Sequence, residues 1–100
     1  MNTALLDRYG VSKETQKMIK LSLDSPNAVA ILYYLIGESN EYGFSICSYQ
    51  KFQEVLGVSR ATISRNIKIL KNNGFITTHK SGNNNAYIIS NSVPWVNFEQ

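Results

Sequence analysis

The stretch "SRATISRNIKILKNNGFI", residues 59–76, has two unlike faces, and its reading decides how the rest of the chain is read. Ser59 supplies a hydroxyl that can accept from the free N–H groups of a first helical turn, and Gly74 offers the left-handed conformation that ends a helix. Between them Ile63, Ile67 and Leu70 recur at i, i+4 and i+7, the spacing of one buried stripe. With that stripe inward, Arg60, Ala61, Thr62, Ser64, Arg65 and Lys68 fall on the outer arc. The arc is short-chained, polar and basic. Small residues let a helix approach the floor of a DNA major groove, and hydroxyls, methyls and arginine forks match the groups on base edges there. Arg60 and Arg65 are long enough for bidentate contact to guanine, while Lys68 and Lys71, farther along, suit phosphates.

Upstream, Ser48 can cap "YQKFQEVLG" (49–57), in which Phe52, Val55 and Leu56 are expected inward and Gly57 is expected to end the helix. Val58 is then the apolar residue of a very short turn. Downstream, "FITTHK" (75–80) and "AYIIS" (86–90) are β-rich runs flanking "SGNNN" (81–85), the pattern of a hairpin. Lys80 and the loop asparagines Asn83 and Asn84 would lie along a DNA backbone or in a minor groove.

Nearer the N-terminus, Ser12 can cap a helix over about 12–23, where Met18, Ile19, Leu21 and Leu23 stand among Lys13, Lys17 and Lys20. Ser25 and Pro26 then set a cap before a proline at the first helical position, opening a second helix to about Glu38. Val29, Leu32, Leu35 and Ile36 share a stripe on it. Ile31, Tyr33 and Tyr34 widen the apolar surface toward another element or subunit. "SNEYGFSIC" (39–47) reads as a turn and a brief strand ending at Cys47. The order is helix, helix, strand, helix, tight turn, helix, hairpin. It predicts a single domain over 1–100, mainly α with a small β-hairpin wing: a winged helix-turn-helix.

The charge distribution agrees with the outer arc. The net charge is only +3, yet residues 55–98 contain no acid while they contain Arg60, Arg65, Lys68, Lys71 and Lys80. A basic region without neutralising acids suits a polyanionic partner. No apolar run approaches the length of a membrane span, the longest being "AVAILYYLI" (28–36), and "MNTALLDRYG" lacks the pattern of a secretory signal. A cytoplasmic protein with no membrane partner is therefore expected. The single cysteine, Cys47, forms no internal disulfide and reads as a small buried hydrophobe. His79, the one histidine, has no second ligand near it in sequence, so no metal is expected. Without a Gly-rich phosphate loop or a nucleophile signature, no catalysis, cofactor or small-molecule effector is expected either.

The segment "FQEVLGVSRATISRNIKILKNNGFI" (52–76) resembles the helix-turn-helix of winged-helix regulators, where a Gly-Val-Ser turn precedes the recognition helix and a Gly-Phe-Ile ending starts the wing. Residues 11–96 are further similar to RepL-type plasmid replication and copy-control proteins, through "YGVSKETQKMIKLSLDSPNAVAILYYL" (9–35), "KSGNNNAYIISNS" (80–92) and the following "VPW". The resemblance implies sequence-specific binding of double-stranded DNA, at a promoter or a plasmid origin. By matching position it implies Ser59, Arg60, Thr62, Ser64, Arg65 and Lys68 as recognition-helix contacts.

The expected function is that of a small transcriptional regulator, a repressor by promoter occupancy. The alternatives are a replication or copy-control protein on origin repeats, and a winged-helix module that binds protein. A single module covers only about 600–1,000 Å² on DNA, so a homodimer is expected. The helix at 12–23 and the tail at 91–100 are the candidate interface. In that tail Trp95 and Phe98 either cover the core or pair with a second subunit.

Overall fold

The computed structural model describes residues 8–81, 84–94 and 96. Among them, α1 (Lys13–Asp24) and α2 (Pro26–Glu38) are followed by β1 (Phe44–Cys47), α3 (Tyr49–Leu56), α4 (Arg60–Asn72), β2 (Ile76–Ser81) and β3 (Asn84–Ile89). The strands form one antiparallel sheet in the order β1-β3-β2. The predicted class, mainly α with a hairpin wing, is the observed one, with β1 added to the hairpin as a third strand.

Local chemistry sets most of the boundaries. Ser12 accepts from the Thr15 N–H at 3.1 Å, Ser48 from that of Lys51 at 3.1 Å and Ser59 from that of Thr62 at 3.2 Å. Ser25 is the exception. It closes α1, its N–H donating to the Leu21 carbonyl at 2.7 Å, and its side chain makes no cap bond to α2. One residue cannot end a helix and also take the extended conformation a serine cap needs, so α2 starts on Pro26 alone. Asn40 turns the chain into β1 by accepting on its side chain from Tyr42 and Phe44 N–H groups at 2.9 and 3.1 Å.

α2 is the hub of the core, contacting α1, α4, β1 and β3. That is why Ile31, which the sequence placed beside the stripe, is buried together with Leu32 and Leu35. Val29 and Ile36 are only half-buried. Phe52 meets Tyr34 and Tyr87 edge to face, at centroid distances of 5.6 and 5.8 Å. Fully burying side chains of this kind stabilises by about 1.5–3 kcal/mol each.

One expectation of burial is corrected. Val55, predicted inward, is 50% exposed, because the two-turn α3 reaches the core through Phe52, with Leu56 at the margin. On α1, Met18 and Leu21 are buried and Leu23, off that face, is 68% exposed. The hairpin is also tighter than "SGNNN" implies. Lys80 pairs with Asn85 and Ser81 with Asn84, so only residues 82–83 lie between the paired strands.

Candidate nucleic-acid interface

α3 and α4 are joined by Gly57, Val58 and Ser59. Gly57 has φ +67° and donates its N–H to the Gln53 carbonyl at 2.9 Å, closing α3 in the left-handed conformation. Val58 packs half-buried against the core and fixes the turn. Ser59 then opens α4 in extended backbone, so the two helices are set at an angle by three residues with distinct tasks.

α4 is held at both ends. At its start the Ser59 hydroxyl accepts from the Thr62 N–H and donates to the Thr62 hydroxyl at 2.9 Å. At its end the Phe75 N–H donates to the Leu70 carbonyl at 3.1 Å and the Gly74 N–H to the Lys71 carbonyl at 2.9 Å. With Gly74 at φ +76° and both Leu70 and Phe75 buried, this is a Schellman closure with its apolar contact. Lys17 reaches across from α1 to donate to the Asn73 carbonyl, placing a cation at the negative end of the helix, and it lies 5.4 Å from the Phe75 ring centroid.

The inner face of α4 buries Ile63, Ile67 and Leu70, as predicted, and also Asn66, whose amide donates to the Thr62 carbonyl at 2.8 Å. Opposite it, Ala61, Arg65 and Lys68 are exposed, while Arg60, exposed at the first position of the helix, stands at the flank beside the line of Ile67, with Ser64 half-buried next to it. Lys71 is exposed about three turns on from Arg60, along the same line of the helix. Neither α3 nor α4 carries an acid in its first turn. The result is a basic ridge on a small-residue helix that carries no carboxylate of its own.

Ser59 and Thr62 sit differently from the rest. Their hydroxyls are engaged with each other and with the cap, as are those of Ser12 and Thr15 at the start of α1, where the Ser12 hydroxyl donates to that of Thr15 at 2.9 Å. The same Ser-x-x-Thr device at two helices makes it a capping arrangement first. Lys80 is exposed on β2, and Asn84 pairs with Ser81 across the hairpin. Asn83, Trp95 and Phe98 lie outside the described residues.

Two residues the sequence reading passed over belong to this surface. Asn72 is exposed on the outward arc, in line with Arg65. Tyr49, the first residue of α3, lies under Arg60, whose guanidinium carbon is 4.9 Å from its ring centroid. No local pattern announces that contact, because it joins the starts of two different helices.

The titrating groups with perturbed equilibria stand on α2, β1 and β3. Burial, with Glu38 second, pushes the Cys47 thiol up, which disfavours a thiolate there. Burial also pushes the Tyr34 phenol up, and pushes that of Tyr87 up to about 12. His79 is exposed on β2. Among the described residues no group of three His, Cys, Asp or Glu side chains is placed to hold a metal ion, and no helix is long and apolar enough to cross a membrane.

A capped helix, a three-residue turn with a left-handed glycine, a second capped helix and a returning hairpin define a winged helix-turn-helix. The family model for the Firmicute plasmid replication protein (RepL) matches residues 14–93, and the chain belongs to that family. Similar solved structures share the fold at low identity. The transcriptional regulator HlyU from Vibrio vulnificus CMCP6 has a TM-score of 0.64 at 21% identity, covering 89% of this chain and 85% of that one. HlyU from Vibrio cholerae N16961 gives 0.60 at 18% identity, over 80% and 79% of the two chains. Its reduced form gives 0.62 at 16% identity, over 92% and 86%. A comparison with curated protein sequences gives no match.

Proposed function

We propose that this protein binds double-stranded DNA sequence-specifically, with α4 in the major groove and the β2–β3 hairpin on the backbone or in the adjacent minor groove. The observation that carries this reading is the outward arc of α4, where Arg60, Arg65 and Lys68 flank the small Ala61 on a helix fixed at both ends. Arg60 and Arg65 read guanine edges, Ser64 and Ala61 allow close approach, and Lys68, Lys71 and Lys80 hold phosphates. Ser59 shapes the start of the helix and spends its hydroxyl proton on Thr62, whereas Thr62, the acceptor of that bond, keeps its own hydroxyl proton for a DNA acceptor.

On this reading the protein works in the cytoplasm as a small transcriptional regulator that represses by occupying a promoter. It does so as a homodimer, since one module offers too little surface for operator affinity. The candidate dimer surface is the α1 side with the C-terminal tail, where Tyr33 and Leu23 are exposed. No catalytic step, cofactor or small-molecule effector is part of the reading. Membership of the RepL family favours a second reading, binding to repeats at a plasmid origin in replication or copy control.

Selection of bound duplexes from a randomised pool at near-physiological salt tests both. An enriched inverted repeat supports the dimeric regulator, and tandem direct repeats support the origin binder. No enrichment refutes sequence-specific binding and turns the basic face into a surface for protein or for DNA without sequence preference.

A further inference from the structure

Arg60 is an awkward residue to find at the first position of a helix. Its positive charge faces the positive end of the helix dipole and the unpaired N–H groups of the first turn, where acids are normally favoured. Nothing in that turn offsets it, since α4 has no acidic residue there. What the guanidinium has instead is the face of Tyr49, at 4.9 Å from carbon to ring centroid, within the range of a cation–π contact. Tyr49 is itself fixed. It follows the Ser48 cap, packs half-buried against the core and stands on a helix anchored by Phe52.

We infer that Tyr49 is a positioning residue for DNA recognition, holding the Arg60 guanidinium at the mouth of α4 in a set orientation so that its N–H fork meets a base edge without first being ordered. The inference rests on the proposed duplex binding. The chemistry is specific to the pair. An arginine side chain free in solvent loses rotamer freedom when it docks, whereas one already resting on an aromatic face loses less, and the contact leaves the edge of the guanidinium plane open for bidentate bonds. The first residues of a recognition helix are also those that reach base edges. Tyr49 is thus placed to govern base preference through a residue it touches, without touching DNA itself.

The test measures affinity and base preference, on the duplex selected for the parent protein, for Arg60→Ala, Tyr49→Phe, Tyr49→Leu and the double variant Tyr49→Leu with Arg60→Ala. Arg60→Ala is expected to weaken binding by about 5- to 150-fold, the range of one bidentate base contact, and to relax preference at one position of the site. Tyr49→Leu is expected to weaken binding by about 2- to 5-fold and to relax the same position. Tyr49→Phe keeps the ring and should match the parent in both readouts. In the double variant the Tyr49→Leu change should add nothing further. A loss of packing alone would not select one base position, would not be rescued by Phe and would persist when Arg60 is absent. The inference is overturned if Tyr49→Leu leaves base preference intact, if its effect adds fully to Arg60→Ala, or if Arg60→Ala itself binds like the parent. If the parent enriches no duplex at all, it is the proposed function that fails.

Discussion

Gly57 offers the most direct check on how the two helices are set against each other. Its backbone lies at φ +67° and ψ 25°, the left-handed region, and a Cβ built on it would find nothing within 4 Å. Any penalty for a side chain is therefore conformational and not steric. For an alanine this amounts to about 1–2 kcal/mol. In a domain of this size about 1 kcal/mol lowers the melting temperature by roughly 4–8 °C. Thermal and urea unfolding of Gly57→Ala, Gly57→Lys and Gly57→Asn separate the contributions. Alanine and lysine should lose the same stability, because the site is open, and asparagine should lose less, since it tolerates this conformation best among residues with a side chain. An alanine variant as stable as the parent would refute the backbone argument. A lysine variant much less stable than alanine would refute the claim of open space.

The recognition arc predicts a contrast between its middle and its end. Arg65→Ala should weaken specific binding by about 1–3 kcal/mol and relax base preference, whereas Lys71→Ala should lower affinity for all sequences and reduce the slope of log K against log salt by about 0.9. Unchanged affinity in both variants, measured by fluorescence anisotropy across a salt series, would remove α4 as the reading element. Lys17→Met removes the cation from the C-terminal end of α4, where it donates to the Asn73 carbonyl, and should destabilise by about 1 kcal/mol in urea unfolding at low salt. Tyr87 holds its proton up to about pH 12 in the fold, chiefly through burial, while an unfolded tyrosine releases it near 10. The folded form is thus fully favoured below pH 10 and loses that advantage, about 2–3 kcal/mol, as pH rises from about 10 to 12. Urea unfolding across that range should show a much flatter pH dependence in Tyr87→Phe, and equal slopes would show that another group carries the loss.

What could be read from the chain in advance was local. Ser12, Ser48 and Ser59 cap within three residues of themselves, and Gly57 and Gly74 adopt positive φ for reasons contained in the adjoining turn. Such features need no knowledge of the fold. The apolar positions of α4 were equally legible, because a helix with one buried face carries a single period. α2 was harder: packed by four elements, it buries residues beyond one stripe, so Ile31 cannot be ranked by spacing. Val55 failed for the opposite reason, as a two-turn helix has too few residues for a period to locate its face. The arc of Arg60, Arg65 and Lys68 followed from the stripe opposite it. The ring beneath Arg60 did not, since Tyr49 and Arg60 meet only once the Gly57 turn has folded one helix start against the other.

The double closure of α4 bears on the thermodynamics of association. A reading helix that forms only on DNA adds the heat capacity of its own folding to that of the interface, and part of its attraction is spent on ordering. Here the Ser59–Thr62 pair at one end and Gly74 at the other, with Lys17 on the Asn73 carbonyl, have already fixed the backbone in the free protein. On the proposed binding mode, the calorimetric signature of docking then reports the surfaces that meet, and the encounter rate is set by diffusion and charge instead of by a folding step.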